Sequence, residues 1–179
     1  MQRMSLIIAL LFIVLLFGIQ TKDYSVARAS IPSGSMKPAS LCAKNENVVW
    51  SCETVRDRKL ASICSSKVLE ETRGYVQYRF GRVGQVEMEF PRERTNTQAA
   101  FKYSRYTRPL VTYLKLEFVN NGFTYTISDD SNEEEKPPQR DATITVTPKG
   151  ANAKETTLHC RLPIMGSLMK LEGFVPRMD

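Results

Sequence analysis

Residues 74–91 read Gly-Tyr-Val-Gln-Tyr-Arg-Phe-Gly-Arg-Val-Gly-Gln-Val-Glu-Met-Glu-Phe-Pro. Apolar and polar side chains alternate on both sides of two central glycines, a pattern typical of two half-buried strands joined as a hairpin. A five-residue loop after Phe80 would place Phe80 opposite Val86. The same register would set Arg79 against Glu87 on the other face, which is a favourable cross-strand pair. The stretch therefore predicts a hairpin in the core of an all-β domain.

Other alternating segments surround this hairpin along the chain. They predict three further groups of strands. Residues 48–55 pair with residues 60–64, and residues 142–147 pair with residues 155–160. Residues 99–108 are followed by a strand at residues 110–119 and by its partner after Asn121-Gly122. A further edge strand is expected around residues 168–174, and residues 128–140 are interpreted as a solvated loop. About eight short strands with little helix predict an antiparallel sandwich or a small closed barrel, held by disulfide bonds.

The Asn121-Gly122 step predicts the most definite register in the chain. A type I′ turn needs positive φ at both central residues, and Asn-Gly is the pair that adopts it most readily. A two-residue loop places Phe118 opposite Tyr125, both apolar, whereas a longer loop would oppose Glu117 to Tyr125. We therefore expect a tight hairpin at this position.

The four cysteines are Cys42, Cys52, Cys64 and Cys160. An even number of cysteines is typical of disulfide bonds in an exported chain, and the N-terminal residues of this chain predict export. A three-residue turn at residues 57–59 would set Cys52 opposite Cys64 and leave Cys42 to bind Cys160. Four cysteines allow three pairings, and the hairpin constrains the choice only weakly. Because no Cys-x-x-Cys pair exists and His159 is the only histidine, we expect no metal site.

The N-terminal residues predict export from the cytoplasm. The apolar run of residues 4–19 follows Arg3 and is shorter than the roughly 20 residues that a membrane span needs. It matches the apolar core of a secretory signal peptide, and alanines at positions 27 and 29 suit cleavage after Ala29. We therefore expect a periplasmic or secreted protein, which stays attached to a membrane only if the leader is uncleaved.

The chain divides into three parts on this basis. Residues 1–29 are predicted to be a signal peptide or an N-terminal anchor, residues 30–41 a linker, and residues 42–179 a single β domain.

Residues 31–38, Ile-Pro-Ser-Gly-Ser-Met-Lys-Pro, follow the leader. They resemble the serine box of type I signal peptidases, in which a serine before a methionine is the nucleophile and a lysine is the general base. The resemblance implies that Ser35 is the nucleophile of a membrane-anchored serine protease. The lysine box of that family is absent from the chain, so the resemblance assigns no base.

The exported part resembles a class of bacterial secreted all-β proteins that are mostly uncharacterised. The resemblance is carried by the Tyr-Arg-Phe-Gly strand at residues 78–81, the glutamate-rich strand that follows it, and a closing Leu-x-Cys at residues 158–160. In architecture alone the chain also resembles the small disulfide-bonded β-barrels that inhibit lysozymes in the periplasm.

The strand at residues 99–108 carries the most function-like cluster. The candidate binding residues are Lys102, Tyr103, Arg105, Tyr106 and Arg108. Aromatic rings interleaved with basic groups can stack on sugars or bases and attract phosphate or carboxylate groups. A half-buried strand whose basic side chains remain in solvent shows the same pattern.

Composition and charge narrow the class of partner. The chain is 42% hydrophobic and 25% charged, with a net charge of +6, which suits weak attraction to anionic surfaces. A dedicated nucleic-acid binder shows a denser basic stripe, so we expect no nucleic-acid partner. Glu87 and Glu89 are interpreted as a charge-paired solvent face rather than as catalytic acids.

The leading hypothesis is a non-enzymatic binding protein of the bacterial cell envelope or periplasm. Its expected partner is a protein or an anionic envelope component, its binding could inhibit that partner, and no cofactor is expected. The alternative hypothesis is the signal-peptidase-like protease that uses Ser35.

Overall fold

A computed structural model describes residues 39–70, 73–150 and 154–178. The leader predicted at residues 1–29, and Ser35 with the rest of its serine box, lie outside the described residues. The described ranges contain nine strands, β1 (Asn47–Thr54), β2 (Leu60–Ser65), β3 (Val76–Arg82), β4 (Gln85–Phe90), β5 (Lys102–Arg108), β6 (Val111–Asn120), β7 (Phe123–Asn132), β8 (Gln139–Pro148) and β9 (Thr156–Gly166). They also contain two short 3-10 helices, η1 (Gln98–Ala100) and η2 (Leu168–Leu171).

All nine strands form one antiparallel sheet in the order β4-β3-β2-β1-β9-β8-β7-β6-β5. Two meanders, β1 to β4 and β5 to β9, are joined by the pairing of β1 with β9. The sheet curls strongly, since Phe90 of β4 stacks on Phe118 of β6 with ring centroids 4.6 Å apart. Strands β4 and β6 lie near opposite ends of the sheet order, so their contact requires the curl.

Because every strand belongs to this one antiparallel sheet, the prediction of an all-β, antiparallel fold is confirmed.

The sequence predicted an antiparallel sandwich or a closed barrel of about eight strands, and the structure is instead a single curled sheet of nine strands that does not close. The edge strands β4 and β5 do not pair, so the curled sheet is a half-barrel. Aromatic side chains bridge the two edges instead of backbone hydrogen bonds: Phe90, at the end of β4, contacts Phe101, just before β5, edge to face at 5.7 Å.

The Asn121-Gly122 hairpin is confirmed in full. Strand β6 pairs with β7 so that Phe118 lies opposite Tyr125 and Glu117 opposite Thr126. Both turn residues have positive φ, 49° at Asn121 and 78° at Gly122, as a type I′ turn requires.

The β3–β4 hairpin is confirmed, but its predicted register is wrong by two residues. Phe80 lies opposite Met88 rather than Val86, and Arg79 lies opposite Glu89. The predicted five-residue loop is in fact a two-residue turn at residues 83–84, and a register shift after Phe80 accommodates the extra length. The bulge places Val86, opposite Gly81, on the other face from Met88, opposite Phe80, so the unbroken alternation of apolar residues in the sequence does not reveal it.

Two disulfides are present, but the pairing favoured by the β1–β2 hairpin, Cys52 with Cys64 and Cys42 with Cys160, is wrong. Cys42 binds Cys64, and Cys52 binds Cys160. In the β1–β2 register Cys52 lies opposite Ala61, and both are buried in the core. Cys64 points to the outer face of the sheet, where Cys42 reaches it. Two cysteines on opposite faces of a sheet cannot be bridged.

Residues 39–46, named here the N-terminal strap, cover the outer face of β1 to β3. The Leu41 backbone N–H donates to Ser62 Oγ at 3.0 Å, and Ser51 Oγ donates to the Ala39 carbonyl at 3.1 Å. The Cys42–Cys64 disulfide ties the strap covalently. Every residue of β2 is consequently buried, because the core covers one face and the strap covers the other.

The C-terminal tail differs from the edge strand predicted at residues 168–174. It forms η2 and a turn that bury Leu168, Leu171 and Phe174 against the core, a spacing of three that suits a 3-10 turn. Ser167 caps the helix by accepting a hydrogen bond from the Met169 N–H. Strands β7 and β8 also extend into the predicted 128–140 loop, which shortens to residues 133–138.

Gly166 permits the contact between β9 and β1. Its φ is +68°, and a Cβ atom there would lie well inside the van der Waals distance of the Val49 carbonyl. Gly84 has a similar φ of +80° with nothing within 4 Å of the added atom.

Gly166→Ala should therefore lower the free energy of unfolding by about 1–3 kcal/mol more than Gly84→Ala, because both substitutions introduce similar backbone strain and only the one at Gly166 adds overpacking. Urea denaturation of the two variants measures this difference, and equal losses would contradict the close approach.

Candidate functional site

The predicted binding strand is β5, an edge of the sheet. Its pairing with β6 sets Tyr106 opposite Tyr113 and Ser104 opposite Lys115 on the outer face. Tyr103 lies on the other face and is fully buried in the core. The structure therefore separates Tyr103 from Lys102, Tyr106 and Arg108 on the outer face, whereas Arg105 shares the face of Tyr103 but is exposed.

Tyr106 and Tyr113 form an exposed aromatic pair. Their ring centroids are 6.0 Å apart with an interplanar angle of 18°. Tyr106 is 57% exposed and Tyr113 is 41% exposed. The sequence analysis did not single out Tyr113, although a two-residue turn at residues 109–110 would have placed it opposite Tyr106.

The charged neighbours of this pair divide into two groups. Arg105 is bound to Glu172, and Arg108 holds Glu134 with Nη2 to Oε2 at 2.8 Å. The hydrogen bond from Arg108 lowers the pKa of the Glu134 carboxyl, and that from Arg105 lowers the pKa of Glu172.

Lys102 and Lys115 form no ion pair with any residue in the described ranges. They lie on the same outer face as the tyrosines. We call Lys102, Tyr106, Tyr113 and Lys115 the tyrosine patch. It combines two apolar rings that carry hydroxyl groups with two cations. Lys102 and Tyr106 belong to the predicted binding set, whereas Tyr113 and Lys115 come from β6. Acidic side chains also lie on this face, since Glu117 is opposite Lys102 and Asp130 is opposite Tyr113.

A buried polar cluster lies beneath the N-terminal strap. Arg79, only 3% exposed, binds Glu46 through two hydrogen bonds of 2.7 and 2.8 Å. Its guanidinium also donates to the Leu41 carbonyl at 2.9 Å and to Gln77 Oε1 at 2.7 Å, and it lies 3.1 Å from Glu89. Arg79 was predicted to be a solvent-facing partner of Glu87, and that prediction is wrong because the strap covers this face.

The surroundings of Glu46 keep it ionised. Burial alone raises the pKa of this carboxyl, but hydrogen bonds from Arg79, the Ala43 N–H and Tyr75 outweigh burial and lower the pKa to about 2. Glu46, Cys42 and Cys64 lie close enough together to resemble a metal-ligand set. Since both sulfurs are in a disulfide and the carboxylate is held by Arg79, these atoms are already occupied and the cluster is a structural tie.

A cleft of about 560 Å³ runs beside β4 and is not anticipated by the sequence. It is lined by Glu87, Met88, Glu89, Phe90, Arg92 and the Asn120–Asn121 corner of the β6–β7 hairpin, with Pro91. A second opening with four of the same residues continues it toward Val86. We call this feature the β4 cleft. Its lining comes from two segments that are distant in the chain, so no local sequence pattern predicts it.

Fold and surfaces together define an all-β, disulfide-stapled half-barrel with two candidate binding features and no catalytic constellation among the described residues. Comparison with protein-family models, with curated proteins and with solved structures finds no match for the chain.

The two disulfides indicate an oxidising compartment, either extracellular or periplasmic. Within the described ranges, neither 3-10 helix has the length and apolar character required to cross a membrane.

Arg79 is expected to be the most sensitive charged position in the described chain. Arg79→Ala leaves the buried Glu46 carboxylate without its main partner and should lower the free energy of unfolding by about 3–5 kcal/mol. Arg82→Ala, on the same strand but half exposed, should change it by at most about 1 kcal/mol. Chemical denaturation compares the two, and similar effects would show that the pair under the strap is not a structural tie.

The low pKa of Glu46 predicts an acid-dependent loss of stability. The unfolded chain takes up a proton at this carboxyl near pH 4.5, whereas the folded chain does so only near pH 2. The stabilisation by Glu46 should therefore be complete above about pH 5 and fall as the pH drops from 4.5 to 2. Glu46→Gln should be less stable at pH 7 and show a shallower decline over this window. Denaturation midpoints from pH 7 to pH 2 measure both, and parallel profiles would contradict the assignment.

Proposed function

We propose that this chain is an exported, non-enzymatic binding protein of the bacterial cell envelope or periplasm, and that the tyrosine patch binds an anionic envelope polysaccharide. The observation that carries the proposal is the exposed stack of Tyr106 on Tyr113. Tyrosine rings offer apolar faces for sugar rings and hydroxyl groups for hydrogen bonds, and exposed tyrosines often dominate binding energy.

The charges around the patch support an acidic sugar polymer as the partner. Lys102 and Lys115 flank the rings and form no ion pair within 4 Å among the described residues, although Glu117 lies opposite Lys102 and Asp130 interacts electrostatically with Lys115. Both ammonium groups can therefore meet carboxylate or phosphate groups. Arg105 and Arg108 are engaged by Glu172 and Glu134, and they contribute less net attraction than the sequence suggested. The aromatic stack therefore carries most of the proposed binding, and the lysines favour acidic polymers over neutral ones.

The disulfides agree with the proposed location. Bonds between Cys42 and Cys64 and between Cys52 and Cys160 persist in oxidising compartments such as the periplasm. The export signal at residues 1–29 remains a prediction, as does the protease hypothesis for Ser35.

The proposal is tested by co-sedimentation of the purified protein with peptidoglycan sacculi and with lipopolysaccharide. The Tyr106→Ala, Tyr113→Ala double variant should raise the dissociation constant at least tenfold, because two stacking faces are lost while the fold is kept. Phe123→Ala removes an aromatic ring of 40% exposure elsewhere on the surface and should leave binding unchanged.

Raising the salt concentration should weaken binding of the wild-type protein, because the lysines act through screened charges. The proposal fails if neither polymer retains the wild-type protein. It also fails if the double variant binds as the wild-type protein does while its melting temperature is unaltered.

A further inference from the structure

We propose that β4 binds an extended peptide of a partner protein, which adds a tenth strand to the sheet and sets an acidic side chain against Arg92. This inference concerns the β4 cleft and does not depend on the tyrosine patch.

The two edge strands of the sheet differ in whether another segment hydrogen-bonds to their free side. Strand β5 is partly covered by the C-terminal tail, since the Tyr103 N–H donates to the Pro176 carbonyl and the Met178 N–H donates to the Tyr103 carbonyl, both at 2.8 Å. Strand β4 pairs only with β3, and in the described ranges no other strand pairs with its other side. An edge strand presents a row of unpaired backbone donors and acceptors, which another extended chain can use.

The β4 cleft provides room for such a chain next to this edge. It lies between β4 and the Asn120–Asn121 corner, and its volume of about 560 Å³ falls within the range of ligand sites. The half-buried Met88 and Phe90 supply apolar surface on the core side of the strand, and Val86, 42% exposed and paired with Gly81, supplies it on the outer side. Alternate side chains of an added strand would contact this surface, while its backbone would pair with β4.

The charged side chains of the β4 cleft indicate which charged side chain the peptide should carry. Glu87 is neutralised by Lys59 at 2.6 Å and by Arg82 at 3.7 Å. Glu89, 41% exposed, lies 3.1 Å from Arg79, whose single charge it shares with the buried Glu46. Arg92 lines the cleft and forms no ion pair with any described residue, so its charge is available to a partner. An acidic side chain on the peptide complements it.

A second copy of this chain fits the edge poorly. Antiparallel pairing of two β4 strands centred on Glu87 or on Glu89 would oppose that residue to itself, and pairing centred on Met88 would oppose Glu87 to Glu89. Like charges directly opposite each other destabilise a sheet. Glutamates at an edge also protect natural sheets from self-association. The edge therefore discriminates against its own sequence and favours a partner that lacks glutamate at these positions.

An array of ten-residue peptides, acetylated and amidated, tests the proposal. Valine or phenylalanine alternates with threonine, and one polar position carries aspartate, asparagine or lysine. Aspartate peptides should bind the full chain at least tenfold more tightly than the matched asparagine peptides. Arg92→Glu should reverse the preference toward lysine peptides, and the control Arg56→Glu, an exposed arginine of the β1–β2 turn, should not.

Amide hydrogen exchange locates the bound peptide. Binding should slow exchange at residues 85–90 and leave residues 102–108 unchanged. Methylating the peptide nitrogens at one of the two alternating sets of positions should abolish binding, because those N–H groups face β4.

The proposal is overturned if no aspartate peptide binds, if Arg92→Glu leaves the preference unaltered, or if protection appears at residues 102–108. Equal binding of both methylated peptides would exclude strand addition. Concentration-dependent protection of residues 85–90 without peptide, together with a dimer mass, would show that a second copy occupies the edge instead.

Discussion

The pairing of β1 with β9 is the contact on which the rest of the structure depends. Each meander alone would expose one apolar face, and only their union in a single sheet allows the curl that brings β3 and β4 over β6 and β7. The Cys52–Cys160 disulfide crosses this junction and closes a loop of 108 residues, a length for which restriction of the unfolded chain contributes on the order of 5 kcal/mol. Gly166 completes the junction, since only a residue without a side chain allows β9 to lie so close to Val49.

The curl makes the two halves of the sheet chemically different. Strands β1 to β3 are covered on both faces, and polar side chains caught beneath the strap must be satisfied internally because water is excluded. Arg79 meets that requirement with Glu46, Gln77 and a strap carbonyl. The outer face of β5 to β9 has no cover among the described residues, and its polar and aromatic side chains are available to partners.

The same geometry leaves two distinct binding features. The tyrosine patch is a product of cross-strand register, which stacks one ring from each of two neighbouring strands. The β4 cleft is a product of incomplete closure, which leaves an edge unpaired beside a hairpin corner. A broad polymer and an extended peptide require different surfaces, so the two proposals do not compete for the same residues.

The sequence by itself determined the all-β class, the tight Asn121-Gly122 hairpin, the presence of disulfides and the exposure of most basic residues on β5. These features follow from local chemistry: alternation at period two, the positive φ that Asn-Gly adopts, and side-chain polarity. Only the tertiary structure decided the disulfide pairing, the burial of Arg79, the core position of Tyr103 and the open edge at β4. Each depends on which segment covers which face of the sheet, and residues far apart in the chain supply that cover. Alternation shows that a strand has two faces, but it does not show what lies against them.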